Sequence, residues 1–292
     1  MTPRSALLAL HVGALLFGLS GVLGKLAHAS QSVIVFGRAA FAAAALAVFA
    51  RFVGSTRWKP LMSRASGARL VLSGVLLSLH WVSFFIAVKV AGVAVATLGF
   101  ASFPAFTVIL EGLVFRERIR RIEMLLVVLV TVGLILVTPG FDLASEATGG
   151  LLWAIVSGFT FALLSLVNRA SALHVPAVQA ALCQNLIVAV CLLPWAASSL
   201  PDVSTRDWLW IALLGVLCTG LAHSLFVASL AVIKARMAAV VFAMEPLYGI
   251  AFAWLIFAET PTLRMLLGGA LIIVAILISG LMGNRGAKTG SH

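Results

Sequence analysis

The sequence predicts an all-α membrane protein of ten transmembrane helices, arranged as two inverted five-helix repeats around a central cavity. Hydropathy, the placement of basic residues and an internal duplication each point there. Of the 292 residues, 62% are hydrophobic and 10% charged, with a mean hydropathy of +1.16. That composition does not fit a soluble domain. Apolar runs of about 18 residues or more, long enough for the ~30 Å hydrocarbon core of a bilayer, recur along the chain.

Charged or turn-forming residues punctuate these runs. They give spans near residues 5–27, closing on Lys25; 32–53, closing on Arg51; 68–89, between Arg69 and Lys89; 93–115, ending at Arg116; and 121–138, stopped by Pro139 and Gly140. The second five lie at 149–171, with Arg169 near its end; 177–197, opened by Pro176; 207–229, after Arg206; 235–257, after Lys234; and 264–282. Lipid-exposed strand edges would leave backbone groups unsatisfied and no period-2 alternation is present, so helices follow rather than a barrel. Arg4, the run from Ser5 to Leu23 and the triplet Ala27-His28-Ala29 imitate a secretory signal. The run exceeds a signal's apolar core, and its removal would leave the first half one helix short, so span one is expected to stay.

Orientation follows from Lys and Arg. With the N-terminus cytoplasmic, fifteen basic residues fall in the inside segments, among them Arg51, Arg57, Lys59, Arg64 and Arg69 after span two and Arg116, Arg118, Arg120 and Arg121 after span four. Four fall outside, namely Lys25, Lys89, Arg206 and Arg264, and Arg38 remains within span two. The asymmetry predicts a multi-pass protein of a bacterial-type inner membrane with both termini cytoplasmic. Trp195, Trp208 and Trp210 fall at span ends, as an interfacial belt requires. Dispersed in this way, the net charge of +11 orients helices and forms no continuous face for nucleic acid.

A shift of 142 residues pairs Phe84 with Phe226, Phe100-Ala101 with Phe242-Ala243, Pro104 with Pro246, and Leu113, Phe115 and Glu117 with Leu255, Phe257 and Glu259. Met-Leu-Leu recurs at 124–126 and 265–267, and at a similar offset Phe17 and Lys25 match Phe161 and Arg169. The expected units are residues 1–140 and 141–283, with a polar tail over 284–292. Five spans per unit is an odd number, so the second unit enters the membrane from the opposite side. Inverted repeats let two equivalent halves open one midplane site to each side in turn, which points to secondary transport by alternating access.

Lys25 at the end of span one, Arg38 in Phe-Gly-Arg-Ala-Ala-Phe, the stretch Phe100 to Glu117 with its Phe-Arg-Glu-Arg end, and its second copy Phe242 to Glu259 together resemble the drug/metabolite transporter superfamily, in its EamA-like ten-helix branch. Leu79-His80-Trp81-Val82-Ser83-Phe84-Phe85 is similar to the third helix of YddG-type amino-acid exporters. The resemblance implies a basket of helices around a central cavity and export of amino acids, aromatic or other neutral, or of similar small metabolites. Phe17 stands where many members have Trp.

Polar groups at membrane depth cost on the order of 2.5–3.5 kcal/mol for a central charge, so they face the bundle interior or a cavity. His80 lies mid-span with Trp81 beside it and Phe84 one turn on, and Trp81 pairs with His223 under the duplication. Each His is either a cavity wall or an interior hydrogen-bond partner. Glu245, directly before Pro246, is either a proton-coupling carboxylate or a structural partner for Arg38 or His223. Pro104 and Pro246 are expected to kink matched spans, as fixed bends or as gates. Phe100, Phe103, Phe161 and Tyr248 offer aromatic surface or packing. Gln184 and Asn185 suit either a zwitterion or interhelical hydrogen bonding. Glu111, Glu117 and Glu123 beside the arginines at 116–121 read as solvated interface pairs, and Gly92 and Ala96 as small residues that let helices approach.

Cys183, Cys191 and Cys218 lack metal-ligand spacing and read as core residues. No HExxH or GxSxG is present, and Gly18 to Lys25 fails as a phosphate loop because Leu26 replaces its Ser or Thr. The expectation is therefore a carrier and not an enzyme, without cofactor or metal, working as a monomer in the lipid bilayer on a small-molecule substrate. Export of another metabolite or drug class, or a non-transporting accessory role, are the alternatives.

Overall fold

The computed structural model describes residues 1–53, 64–116, 118–119, 121–137, 145–171, 175–242 and 244–288. Arg57, Lys59, Glu117, Arg120, Pro139, Gly140 and Ala243 lie outside that set, as do the side chains of Glu123, Leu126, Arg236, Arg285 and Lys288. Among the described residues, regular structure is helical throughout. The helices are α1 (Pro3–Leu26), α2 (Gln31–Val53), α3 (Arg64–Phe100), α4 (Phe103–Val114), α5 (Arg121–Val137), α6 (Glu146–Ser171), α7 (Ala177–Ala196), α8 (Thr205–Gly215), α9 (Ala222–Ser229), α10 (Ala235–Phe242), α11 (Glu245–Phe257) and α12 (Leu263–Lys288). A π-helical stretch, Val216–Leu221, joins α8 to α9. Six helical stretches among the described residues are long and apolar enough to cross a membrane, and α4, α11 and parts of α5 and α12 add shorter apolar helices.

Local chemistry sets the breaks. Gly92 has φ 82° and ψ 169°, a region open almost only to glycine, and it divides α3 between the expected spans three and four. It is therefore a joint, rather than the close-packing residue the sequence suggested, because the nearest atoms an added Cβ would meet belong to the Glu259 carboxylate, at ordinary contact distances of 3.7–4.0 Å. The two prolines do not bend continuous helices. Each lies in the first turn of a new one, α4 for Pro104 and α11 for Pro246, where a missing N–H costs nothing. Identical hydrogen bonds form both corners: Ser102 N–H donates to Gly99 O as Met244 N–H donates to Val241 O, and Ala105 to Ser102 as Leu247 to Met244, each at 3.1 Å. Past the ends of α4 and α11, Arg116 and Ala258 adopt φ values of 53° and 54°. All these correspondences fall at the 142-residue shift.

The first part of α3 runs antiparallel to α6. Arg69 donates to Ala170 O at 3.0 Å, His80 meets Ser157, and Ala91 packs on Gly150. At Gly158, α6 passes so close to the corner before α4 that a Cβ would lie 2.6 Å from Ser102 Oγ and 3.0 Å from Phe100 O. Helix α1 packs parallel to α11, with Gly18 against Tyr248 and Gly249, and antiparallel to α9, where Ser229 donates to Ala6 O at 3.1 Å. Its C-terminus lies beside Lys89 of α3, whose ammonium donates to Ala27 O and Ala29 O. Thus α1 and α6 point in opposite directions. Helices α5 and α12 lean on each other through Gly133, Gly268 and Ile272. The side chains between α1, α2, α3, α6, α9 and α11 form the deepest part of the protein.

Candidate functional site

Midway along the bundle, one cavity is lined by Phe17 and Ser20 of α1, Arg38 of α2, His80, Trp81, Phe84 and Phe100 of α3, Phe161 of α6 and Glu245 of α11. It is tight, with room for about one water molecule. Its apolar wall belongs to a continuous cluster of aromatic rings that extends behind the lining to Phe226 and Phe242. Phe161 lies 4.7 Å from the His80 ring and 5.3 Å from Phe100, and stacks on Phe226 at 5.2 Å, while Phe242 joins Phe226 at 4.9 Å and Phe17 at 5.2 Å. Phe84 with Phe226, and Phe100 with Phe242, are the pairs related by the duplication.

The polar wall begins with Arg38, which is 1% exposed. Its Nε donates to Thr219 Oγ1 at 2.9 Å, and the guanidinium lies 4.0 Å from the Trp81 ring centroid and 5.3 Å from that of Phe85. The π-helical turn sets this up. Thr219 donates its hydroxyl to Leu214 O, five residues back, at 2.9 Å, which leaves an oxygen lone pair for Arg38. Nη2 of Arg38 is buried and has no hydrogen-bond partner among the described residues. Glu245, at the N-terminus of α11, is also buried and forms no ion pair with Arg38.

His80 is held by Ser157, whose Oγ lies 2.7 Å from Nδ1 and whose hydroxyl donates back to His80 O at 3.1 Å. With that hydroxyl proton committed, Nδ1 donates to Ser157.

At each end of the bundle a cation bridges α1 to α11 or α6 to α4. Lys25 of α1 forms an ion pair with Glu259, just past α11, and lies 4.9 Å from the Phe257 ring centroid. Arg169 of α6 pairs with Glu111 of α4 at 2.5 Å and lies 4.7 Å from the ring of Phe115. Lys25 and Arg169, like Phe257 and Phe115, are duplication mates. Because α1 and α6 are antiparallel, the two pairs flank opposite ends of the first part of α3, near Gly92 and near Arg69, about 35 Å apart at ~1.5 Å per helical residue.

The sequence profile of the EamA-like transporter family matches residues 4–138 and again residues 148–281. The chain belongs to the EamA-like transporter family. It is 30% identical to an uncharacterized transporter of Archaeoglobus fulgidus over 199 residues, 68% of this chain and 70% of that one. It is 25% identical to the pseudopaline exporter CntI of Pseudomonas aeruginosa over 280 residues, covering 94% of this chain and 95% of the relative. A solved crystal structure shares its fold at a TM-score of 0.74 and 20% identity, covering 97% of this chain and 99% of the other. Membership makes the chain a multi-pass membrane transport protein for a small molecule.

This EamA-like transporter brings His80, Trp81, Phe84, Phe100, Phe161 and Glu245 to one cavity. It places Phe103 behind them, stacked on Phe100 at 5.0 Å. His223 meets Trp81 edge-on at 6.3 Å but points Nε2 at Gln184 Oε1, 2.7 Å away, and Gln184 in turn donates to Ser73 and Asn168. That network ties α9 to α7, α3 and α6 away from the cavity. Asn185 donates to Ala181 O within its own helix, and the Cβ of Tyr248 faces Gly18. Glu111 is not a solvated interface residue: it is 1% exposed and pairs with Arg169, 58 positions away. Sequence reasoning passed over Ser20, Ser157 and Thr219, three of many small hydroxyl residues in apolar spans. Arg38 was read as a family marker and as a possible partner of Glu245, although a lone arginine within a span is itself a functional signal.

Proposed function

We propose that this protein is a secondary exporter of amino acids, aromatic or other neutral, and related small metabolites across a bacterial-type inner membrane, working as a monomer by alternating access. Ten spans in two inverted five-helix units, residues 1–140 and 141–283, with both termini cytoplasmic, are the architecture this reading requires. The observation that carries it is the central cavity with a cation-carboxylate-phenyl contact at either end. Breaking one contact while keeping the other would open the cavity to a single side, as an alternating-access carrier must. His80 and the phenyl rings suit an apolar or aromatic side chain. The similarity to a pseudopaline exporter supports export as the direction and a polar metabolite as the alternative cargo.

Uptake into liposomes holding only this protein is the test. Counterflow of at least one radiolabelled neutral amino acid is the expected result. Absence of movement for every amino acid and related metabolite under every imposed gradient overturns the reading in favour of an accessory role, and covalent change of a substrate points to an enzyme.

A further inference from the structure

We propose that Arg38 is the carboxylate anchor of the cargo, and that Glu245 faces the cationic end of the same molecule across the cavity. The proposal rests on the transport reading and narrows it to zwitterions, in preference to amines or purely apolar molecules.

A guanidinium deep in a bundle needs compensation for the water it has lost. Arg38 finds only part of it. Thr219 takes the Nε proton, and Trp81 and Phe85 present ring faces, which attract the cation but accept no directed hydrogen bond of carboxylate strength. Nη2 is buried with no partner among the described residues, and the side chain lines the cavity. A structural arginine would settle this by closing on the nearest carboxylate. Glu245 lines the same cavity and does not pair with it, so the guanidinium and the carboxyl group both stay available across a gap. A cation and a carboxyl group held apart in one cavity complement a molecule that carries a carboxylate at one point and an ammonium group at another. A carboxylate entering between them would take charge-assisted hydrogen bonds from Arg38, and an ammonium group would be received by Glu245. The Thr219 contact aims the guanidinium by fixing its Nε edge, which makes Thr219 a positioning residue.

Four tracers of one shape separate the contributions: L-phenylalanine, L-phenylalaninamide and phenylethylamine without the carboxylate, and 3-phenylpropionate without the ammonium group. Each is offered to liposomes containing the full-length protein, unmodified and as Arg38→Gln, Arg38→Lys and Glu245→Gln, with folded protein verified by size-exclusion chromatography. The unmodified protein is expected to move L-phenylalanine at least about tenfold faster than either molecule lacking the carboxylate, the factor lost with a charge-assisted hydrogen bond. Arg38→Gln is expected to erase that preference, and Arg38→Lys, which keeps the charge and loses the fork, to raise KM. Equal transport of phenylethylamine and L-phenylalanine by the unmodified protein overturns the anchor whether or not any variant folds, and so does a folded Arg38→Gln that keeps the preference. In either case transport itself stands. Failure of the unmodified protein to move any of the four overturns the anchor in this phenyl-lined cavity and the aromatic-cargo reading, while movement of other neutral amino acids would leave transport itself standing.

Discussion

Glu111 and Arg169, on α4 and α6, meet at 2.5 Å at one end of the bundle, and the arrangement recurs at the other end between Lys25 and Glu259. Each cation also lies over a phenyl ring, Phe115 or Phe257, and these rings are duplication mates. Two distant contacts of one design, joining different helix pairs, frame the cavity between them.

Loosening one contact has both an energetic and an access consequence. Glu111 is buried while Arg169 is about one-fifth exposed, so Arg169→Gln takes a cationic partner from a buried carboxylate, a larger loss than at a fully exposed pair. A double-mutant cycle with Glu111→Gln and Arg169→Gln, read by unfolding in detergent, is expected to give a coupling of about 1–3 kcal/mol. In Glu111→Gln, a thiol placed at Ser20 in the cavity is expected to react faster with a reagent added on the Arg169 side. No change in either quantity would show the contact to be incidental.

At Gly92 the backbone decides. Gly92→Ala forces a side chain into a glycine-only conformation and is expected to cost about 1–3 kcal/mol, seen as a lower unfolding midpoint. Gly67→Ala, also in α3 but with nothing within 4 Å of the added Cβ, is the control and is expected to be neutral or stabilising by up to about 1 kcal/mol. Equal effects at the two positions would contradict the joint.

His80→Ala is expected to lower flux strongly while leaving folded protein intact, because the ring belongs to the cavity wall and not to the interhelical network of His223 and Gln184. Kinetic analysis with an accepted tracer settles it. Unchanged kcat and KM would remove His80 from the site.

Glu245→Gln keeps the shape of the side chain and removes its exchangeable charge. If Glu245 couples proton movement to transport, the variant loses the dependence of flux on bath pH that the unmodified protein shows. The other ionisable cavity groups are His80 and Arg38. Retained pH dependence in Glu245→Gln would assign the proton to His80 or to another route.

The sequence carried more of the fold than of the site. Long apolar runs, Gly and Pro punctuation and the 142-residue shift anticipated where helices start and stop, since lipid leaves the backbone few alternatives to a helix. They could not anticipate that Pro104 and Pro246 would open new helices, because the choice between a bent helix and a broken one depends on what packs at the corner. Gly158 of α6, pressed against the Ser102 corner, has no local sequence mark of that role. Nearby opposite charges drew Glu111 toward the arginines at 116–121, whereas the folded chain presents Arg169, on a helix 58 positions away. Gln184 and His223 were legible as buried polar residues, but their mutual hydrogen bond, which takes them out of the cavity, is a tertiary fact. Arg38 was legible, and only its partners were not.

Alternating access in this fold requires the two halves to lie in opposite senses across the bilayer. Single cysteines at Arg118 and Thr262, in a chain whose Cys183, Cys191 and Cys218 are changed to Ala, can be probed in intact cells with a membrane-impermeant thiol reagent. Labelling of Thr262→Cys from outside, with Arg118→Cys reached only after the membrane is opened, is the predicted result. Equal labelling of both positions from one side would contradict it.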